Sequence, residues 1–200
     1  MFAEDAIAVI EREEPINDGV YEDEQIPGLD LSRLELVRVH MARCRFTDCT
    51  FTKASFYECR FEDCDLSNCR FDDSYWKQCT LTGINGTGAD LSHSTLRMTT
   101  FNGCALRYMN LSLSKLEDCA FVDCRLNDAA LSELKLKRLR LDHCDLTRAE
   151  LFRTPLKGID LSSCTITAIT LSDSRAELAG AKVGMAQCVD LALMLGVKIV

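Results

Sequence analysis

Residues 59–78, CRFEDCDLSNCRFDDSYWKQ, decide the fold. A large apolar residue occurs at every fifth position of this stretch, at Phe61, Leu66, Phe71 and Trp76. Two residues before each of these central residues stands a small one, Cys or Ser, and the other three positions are mostly polar. A period of five fits neither the 3.6-residue period of an α-helix nor the two-residue period of a β-strand. The stretch therefore predicts a repeating unit of five residues.

The series of central residues extends well beyond this stretch. It runs from Leu31 to Leu171 in steps of five, and only Gly86 interrupts it. Eleven of the twelve cysteines occupy the small position, and Cys188 alone lies outside the repeat. A repeat sustained over this length indicates a solenoid, in which each unit is stabilised by stacking on its neighbours.

The pattern has a direct physical solution if the central and small residues point inward and the other three point outward. Each five residues then form one side of a square, and four sides form a coil of about 20 residues that stacks through parallel β-ladders. We therefore predict an all-β, quadrilateral parallel β-helix over residues 29–174. Phe61, Phe101 and Phe121 share one interior line, and Trp76 is also expected in the core.

Three units carry a family signature. The segments CDLSN at 64–68, ADLSH at 89–93 and CDLTR at 144–148 resemble the A(D/N)LXX repeat of pentapeptide-repeat proteins. The resemblance covers residues 29–174, and it implies that the coil is right-handed. It implies little about function, because many members of that family have none assigned.

The net charge of −8 belongs to the N-terminal segment. Residues 1–28 contain nine acidic residues and one basic residue, whereas the remainder contains 22 of each. The spacing of apolar residues over 2–14 is compatible with a short amphipathic helix that caps the first coil. Pro15 to Gly28 is interpreted as an acidic loop. A disordered acidic tail over the whole segment is the alternative.

Catalytic and metal chemistry find little support in the sequence. Cysteines stacked in parallel lines do not converge on a point as metal ligands do, so we interpret them as small buried residues. The three histidines are expected on the surface, and a filled convex rod lacks the concave site that catalysis requires. We predict no enzyme activity, no cofactor and no metal. The stretch Gly83–Gly88 is expected to form a local bulge or bend.

The C-terminal segment departs from the repeat. After Leu171 the register slips, residues 185–195 predict a short helix that ends at Gly196, and residues 197–200 predict an extended strand. This end, 175–200, resembles that of the Qnr-type and MfpA-type quinolone-resistance proteins, in which the C-terminal module joins two rods. The resemblance implies a homodimer, with these candidate contact residues: Val183, Val189, Leu193, Leu195, Val197 and Ile199.

The same resemblance implies a function. The dimeric rod would mimic duplex DNA, bind DNA gyrase or topoisomerase IV in the bacterial cytoplasm, and confer fluoroquinolone resistance, without contacting nucleic acid or membrane itself. Such a mimic needs negative charge along the rod, because its target binds phosphates. The stacking predicts a candidate acidic stripe of Glu58, Glu62, Asp63, Asp65, Asp118, Asp123, Asp142 and Asp145. A rigid protein-interaction scaffold with another partner is the alternative. The loops that Gram-negative Qnr proteins insert between coils have no place in the unbroken register.

Overall fold

The five-residue repeat folds into a four-sided parallel β-helix, and the computed structural model describes residues 1–198 of the chain. Central residues 20 positions apart are ladder partners, as in Phe61 with Leu81 and Leu81 with Phe101. All the paired strands are parallel. The prediction of a quadrilateral parallel β-helix is therefore confirmed.

Extended strands, numbered in chain order, form two of the four faces. The first face is a seven-stranded sheet of β1 (Ile16–Asn17), β4 (Glu35–Val37), β7 (Ser55–Tyr57), β9 (Tyr75–Lys77), β11 (Thr95–Arg97), β13 (Lys115–Glu117) and β15 (Lys135–Lys137). The second face is a seven-stranded sheet of β2 (Val20–Glu22), β5 (His40–Ala42), β8 (Arg60–Glu62), β10 (Thr80–Thr82), β12 (Thr100–Asn102), β14 (Ala120–Val122) and β16 (Arg140–Asp142).

The third and fourth faces are held mainly by isolated bridges. The third face begins with the strand pair β3 (Gln25–Pro27) and β6 (Arg45–Thr47), and single bridges such as Asp65 with Asn85 then continue it. The fourth face consists of such bridges, from Asp30 with Thr50 onward. In most coils the N–H of the small residue on these faces closes a turn, as when Cys69 donates to the carbonyl of Leu66 at 3.2 Å.

The corners of the square rely on left-handed backbone. In most units the residue two after the centre has a positive φ, for example Asp63 at 51° and Leu113 at 64°. Asp, Asn and Gly tolerate this region well, and Gly83 and Gly88 also occupy it with φ of 64° and 69°. The chain can therefore turn after each short extended piece.

Inward-pointing side chains fill the rod along its length. Phe61, Phe101, Phe121 and Trp76 are all buried. Trp76 stacks on Phe56 with ring centroids 3.8 Å apart, and Phe101 stacks on Phe121 at 4.6 Å. Stacked aromatic rings of successive coils therefore alternate with aliphatic layers along the core.

The N-terminal segment is more regular than the sequence suggested. Helix α1 (Phe2–Ile10) caps the rod, as the capping interpretation expected, and Phe2 packs edge-on against Tyr21 and Phe46 at 5.2 and 5.7 Å. The expectation of a loop over Pro15–Gly28 is wrong, because β1, β2 and β3 lie there and pair with the next coil. The inward residues Ile16, Tyr21 and Ile26 make this segment a coil in spite of its outward charges.

The expected bulge at Gly83–Gly88 is absent from the described structure. Asn85 forms bridges with both Asp65 and Ala105, and Gly86 donates its N–H to Ala105 O at 2.8 Å. Side chains of the next coil fill the interior space that Gly86 leaves, since a Cβ added to it would lie 3.0 Å from Leu106 and 3.2 Å from Met109.

Beyond the repeat, the chain forms a 3₁₀ helix at Ala176–Leu178 and helix α2 at Met185–Met194. Gly196, with φ of 79°, follows α2 as predicted. Val197 and Lys198 belong to no strand, and the rest of the expected terminal strand lies outside the described residues. Within residues 1–198, neither helix has the length and hydropathy needed to cross a membrane.

Candidate interaction surfaces

The C-terminal module is fixed to the last coil by buried polar contacts. Gln187 Nε2 donates to the carbonyls of Ser162 and Cys164 at 3.1 and 2.8 Å, and its Oε1 accepts from Gly184 N–H at 3.0 Å. Leu191 and Met194 pack against the rod core. Buried polar groups with their hydrogen bonds satisfied hold one defined orientation. Helix α2 is therefore fixed in position at the end of the rod.

A buried carboxylate closes the same end. Glu177, 4% exposed, accepts hydrogen bonds from Arg153 N at 2.8 Å and from both Ser172 N and Ser172 Oγ at 3.1 and 2.9 Å. Burial alone would raise the pKa of Glu177, but these donors favour the charged form and lower its pKa overall. The carboxylate thus satisfies the backbone N–H groups of Arg153 and Ser172, which have no backbone partner among the described residues.

The outer side of α2 is apolar and uncovered. Met185, Val189 and Leu193 are spaced four residues apart and share one helix face, and they are 86, 48 and 55% exposed. Leu195 and Val197, 63 and 51% exposed, extend this patch beyond the helix. We call these five residues the end patch.

Most of the candidate dimerisation residues lie in this patch. Val189, Leu193, Leu195 and Val197 are exposed there, whereas Val183 is partly buried against the core. Ile199 lies outside the described residues. Met185 was missed, although its four-residue spacing from Val189 was visible in the sequence.

The candidate acidic stripe is divided into two groups. Glu58, Glu62, Asp63 and Asp65 lie together on one coil, and the other four lie at 118–145. On the line from Glu62 to Asp142 the intervening ladder partners are Thr82, Asn102 and Val122. The stacking therefore aligns the two groups but leaves uncharged positions between them.

Basic residues neutralise several members of the stripe. Asp118 is paired with Arg138, Asp142 lies 2.8 Å from Arg140, and Asp65 lies 3.5 Å from Arg45. The guanidinium groups lower the pKa of Asp118 and of Asp142. Exposed pairs of this kind contribute little to stability, but they cancel charge locally, so the wall carries a mixed pattern of charges.

The cysteines have structural partners. The eleven in the repeat are buried, and Cys188 is exposed. Most donate Sγ–H to main-chain carbonyls, as Cys64 does to Met41 O at 3.5 Å and Cys124 to Phe101 O at 3.4 Å. Within residues 1–198, no group of three or more His, Cys, Asp or Glu residues is arranged to hold a metal ion.

Similarity to solved structures extends along most of the chain. Two trypsin-treated variants of QnrB1, a plasmid-mediated fluoroquinolone resistance protein, match with TM-scores of 0.60 and 0.55 at 14% and 19% identity. They cover 91% and 92% of this chain and 100% and 92% of theirs. Full-length QnrB1 gives a TM-score of 0.50 at 16% identity over 90% of this chain and 100% of that one. At these identities the likeness concerns the fold.

Sequence comparison identifies the repeat itself. No curated protein matches this chain. A family model described as a pentapeptide repeat region matches residues 34–99 and 54–129, and one described as pentapeptide repeats (8 copies) matches residues 124–162. The matches cover more than half of the chain and coincide with the coils of the β-helix, so the chain belongs to the pentapeptide-repeat family.

Proposed function

We propose that this chain is a non-enzymatic, protein-binding rod that pairs end to end with a second copy through its C-terminal module. The proposal is supported by the end patch, which lies on a helix that is anchored to the last coil. Contiguous exposed apolar surface on a folded chain is typical of an interaction site. Because α2 is anchored by Gln187 and Leu191, the patch is rigid, and rigidity lowers the cost of ordering on binding.

A second copy is the partner that the patch fits best. An isologous twofold contact places the same surface on both sides, so apolar residues meet apolar residues without any further complementarity. Met185, Val189 and Leu193 of one copy would pack against the same residues of the other, and Leu195 and Val197 would border them. The rods would then extend in opposite directions from the shared end.

The molar mass in solution tests this pairing. Light scattering after size-exclusion chromatography should give about twice the chain mass of 22.4 kDa. The double substitution Val189→Glu/Leu193→Glu should give the monomer mass, because it would bury charges without partners. Leu113→Glu is the matched control, since Leu113 is 45% exposed on the wall of the rod. Even a contact of modest affinity should form at a concentration of roughly 50–100 micromolar. A wild-type chain that is still monomeric there would refute the pairing.

Binding to a type II topoisomerase is the second candidate function. Its support is the fold similarity to QnrB1, which is described as a fluoroquinolone resistance protein. In this role the two acidic groups, at 58–65 and 118–145, would contact the surface of DNA gyrase or topoisomerase IV that normally binds phosphates, in the bacterial cytoplasm. The ion pairs along the wall favour the other candidate, a protein-binding scaffold with a different partner, because a DNA mimic needs continuous negative charge.

A supercoiling assay separates the two candidates. Purified DNA gyrase is titrated with this protein, with and without ciprofloxacin. A topoisomerase ligand should inhibit supercoiling or relieve the drug effect, and Glu62→Lys/Asp63→Lys should abolish that activity. Asp73→Lys/Glu133→Lys is the control, because those acidic residues lie on the fourth face. No effect on gyrase or topoisomerase IV would leave the scaffold function alone.

A further inference from the structure

Basic residues collect on the outer side of the first face, toward the C-terminal end of the rod. Lys115 and Lys135 are ladder partners there, and Arg97, Glu117 and Lys137 follow one another in the next outward line of the same sheet. In the last coil, Lys157 occupies the position equivalent to Lys137. We call five exposed residues the basic strip: Arg97, Lys115, Lys135, Lys137 and Lys157.

The carboxylate inside the strip is already shared among three cations. Glu117 pairs with Lys137, lies 2.6 Å from Arg97 Nη2 and lies 3.5 Å from Arg138 Nη2. Hydrogen bonds from Lys137 and Arg97 lower the pKa of Glu117, so it is charged at neutral pH. The nearby Asp118 is paired with Arg138. These two carboxylates therefore leave the strip with a net positive charge, on a chain whose total is −8.

The lysines outside these pairs repel one another. Lys115 and Lys135 face each other on adjacent strands, about 4.8 Å apart along the ladder, where like charges destabilise a sheet. Among the residues that the structure describes, neither of them forms an ion pair, and Lys157 forms none either. A carboxylate from outside the chain would relieve this repulsion.

The strip is short and straight. Three ladder steps lead from the coil of Arg97 to that of Lys157, which is a length of about 15 Å. Lys135 and Lys137 alternate on one strand and are about 6.6 Å apart. An α-helix covers about 15 Å in ten residues, and its side chains at i, i+3 and i+4 are about 5–6 Å apart. One acidic helix face therefore matches the strip in length and in charge spacing.

We propose that the basic strip binds an acidic α-helix of a partner protein, which lies along the rod axis with its carboxylates over the lysines. Carboxylates one turn apart would lie over Lys115 and Lys135, and the next along would reach Lys157. The flat, rigid sheet holds the positions of these residues fixed, which lowers the cost of ordering on binding. Like-charge repulsion would exclude a second basic surface.

A nucleic acid fits the strip less well. The aromatic residues of this face, Tyr57 and Tyr75, pack on each other with ring centroids 5.6 Å apart and are only partly exposed, so they offer no free platform for base stacking. A strand that continued along the rod toward its N-terminal end would also meet Glu58 and Glu35. A short acidic helix stays within the strip.

This inference rests on the proposed protein-binding role, but it involves none of the end-patch residues. Light scattering tests the end patch, and peptide binding tests the basic strip. Either result can therefore fail while the other holds.

Fluorescence anisotropy with a labelled helical peptide tests the proposal. The probe EAAEEAAEEAAE carries all its carboxylates on one helix face, and a hydrocarbon staple on the alanine face keeps it helical. The probe should bind, and its affinity should fall about tenfold for Lys115→Glu/Lys135→Glu. The control Arg33→Glu/Lys53→Glu makes the same change of charge at a stacked basic pair in earlier coils, and it should alter the affinity less than about twofold.

A second stapled peptide, EAEAEAEAEAEA, has the same composition but spreads its carboxylates around the helix. Weaker binding of this peptide would support recognition of one acidic helix face, whereas equal binding would overturn it. Lys115→Gln/Lys135→Gln should also weaken binding, and circular dichroism would verify that the variants are folded. Tighter binding of a single-stranded oligonucleotide or of anionic lipid vesicles than of the first probe would contradict the proposal. So would the absence of peptide binding at about 50 mM salt, where charges are weakly screened.

Discussion

Met109 compensates for the missing side chain of Gly86. Gly86 occupies a central position in its unit, where every other unit from 31 to 171 has a large residue, and a Cβ added to it would lie 3.2 Å from Met109 Cε. Met109 in turn occupies a small position of the next coil. The two departures from the pattern lie beside one another and cancel, which keeps the interior filled.

This complementarity predicts non-additive energetics. Met109→Ala alone should destabilise the fold by about 2–5 kcal/mol by leaving a cavity, and Gly86→Leu alone by about 1–3 kcal/mol by overpacking. The double variant restores the regular pattern, so its loss should be smaller than the sum by about 1 kcal/mol or more. Urea denaturation of the four proteins measures this. Strict additivity would show that the two positions do not share space.

What could be predicted from the sequence depends on whether the informative residues point into the rod or out of it. Inward residues fixed the period of five and hence the coil. The same signal extends to Ile16, Tyr21 and Ile26, but the outward acidic residues of that segment obscured it. The end of the first-face sheet at β15 could not be predicted, because it depends on pairing between residues 20 apart, although Pro155, which has no N–H to donate, marks the place where the ladder fails.

The hydroxyl of Ser74 is predicted to stabilise the core through Trp76. The indole Nε1–H donates to Ser74 Oγ at 2.8 Å, and this hydroxyl lies 3.0 Å from Ser94 Oγ in a buried chain. Ser74→Ala should cost about 1–3 kcal/mol, because it leaves a buried N–H without an acceptor. In a Trp76→Phe background the same substitution should cost less, since no indole remains. An equal cost in both backgrounds, by thermal melting, would contradict the role of the indole bond.

Leu113 is predicted to be a site of avoidable strain. Its φ is 64° and its side chain is 45% exposed, so it bears a left-handed conformation without the benefit of full burial. Leu113→Asn should stabilise the fold by about 1 kcal/mol, since Asn tolerates this region. That corresponds to a rise in Tm of about 2–4 °C for a chain of this size. The control Leu113→Val should lower Tm, because a branched Cβ is worst suited to positive φ.

The carboxylate of Glu177 makes the C-terminal end sensitive to acid. Its pKa is lowered in the folded chain, so its stabilising effect is present above the ordinary value of 4.5 and is lost as pH falls through the folded value. Protonation weakens the hydrogen bonds from Arg153 N–H and Ser172 N–H. Residues 172–178 should therefore open as the pH falls through this lowered pKa, before the middle of the rod does.

Loss of this closure should extend to α2, because Arg175 Nη2, in the same segment, donates to Met194 O at 3.1 Å. Glu177→Gln should produce the low-pH behaviour at neutral pH, with a local cost of about 1–3 kcal/mol, since an amide brings its own donor toward the N–H groups. Hydrogen exchange at 172–178 and 185–194 measures the effect, and Glu133→Gln on the exposed wall is the control. If exchange in these segments is the same in Glu177→Gln and wild type, the carboxylate does not hold the end closed.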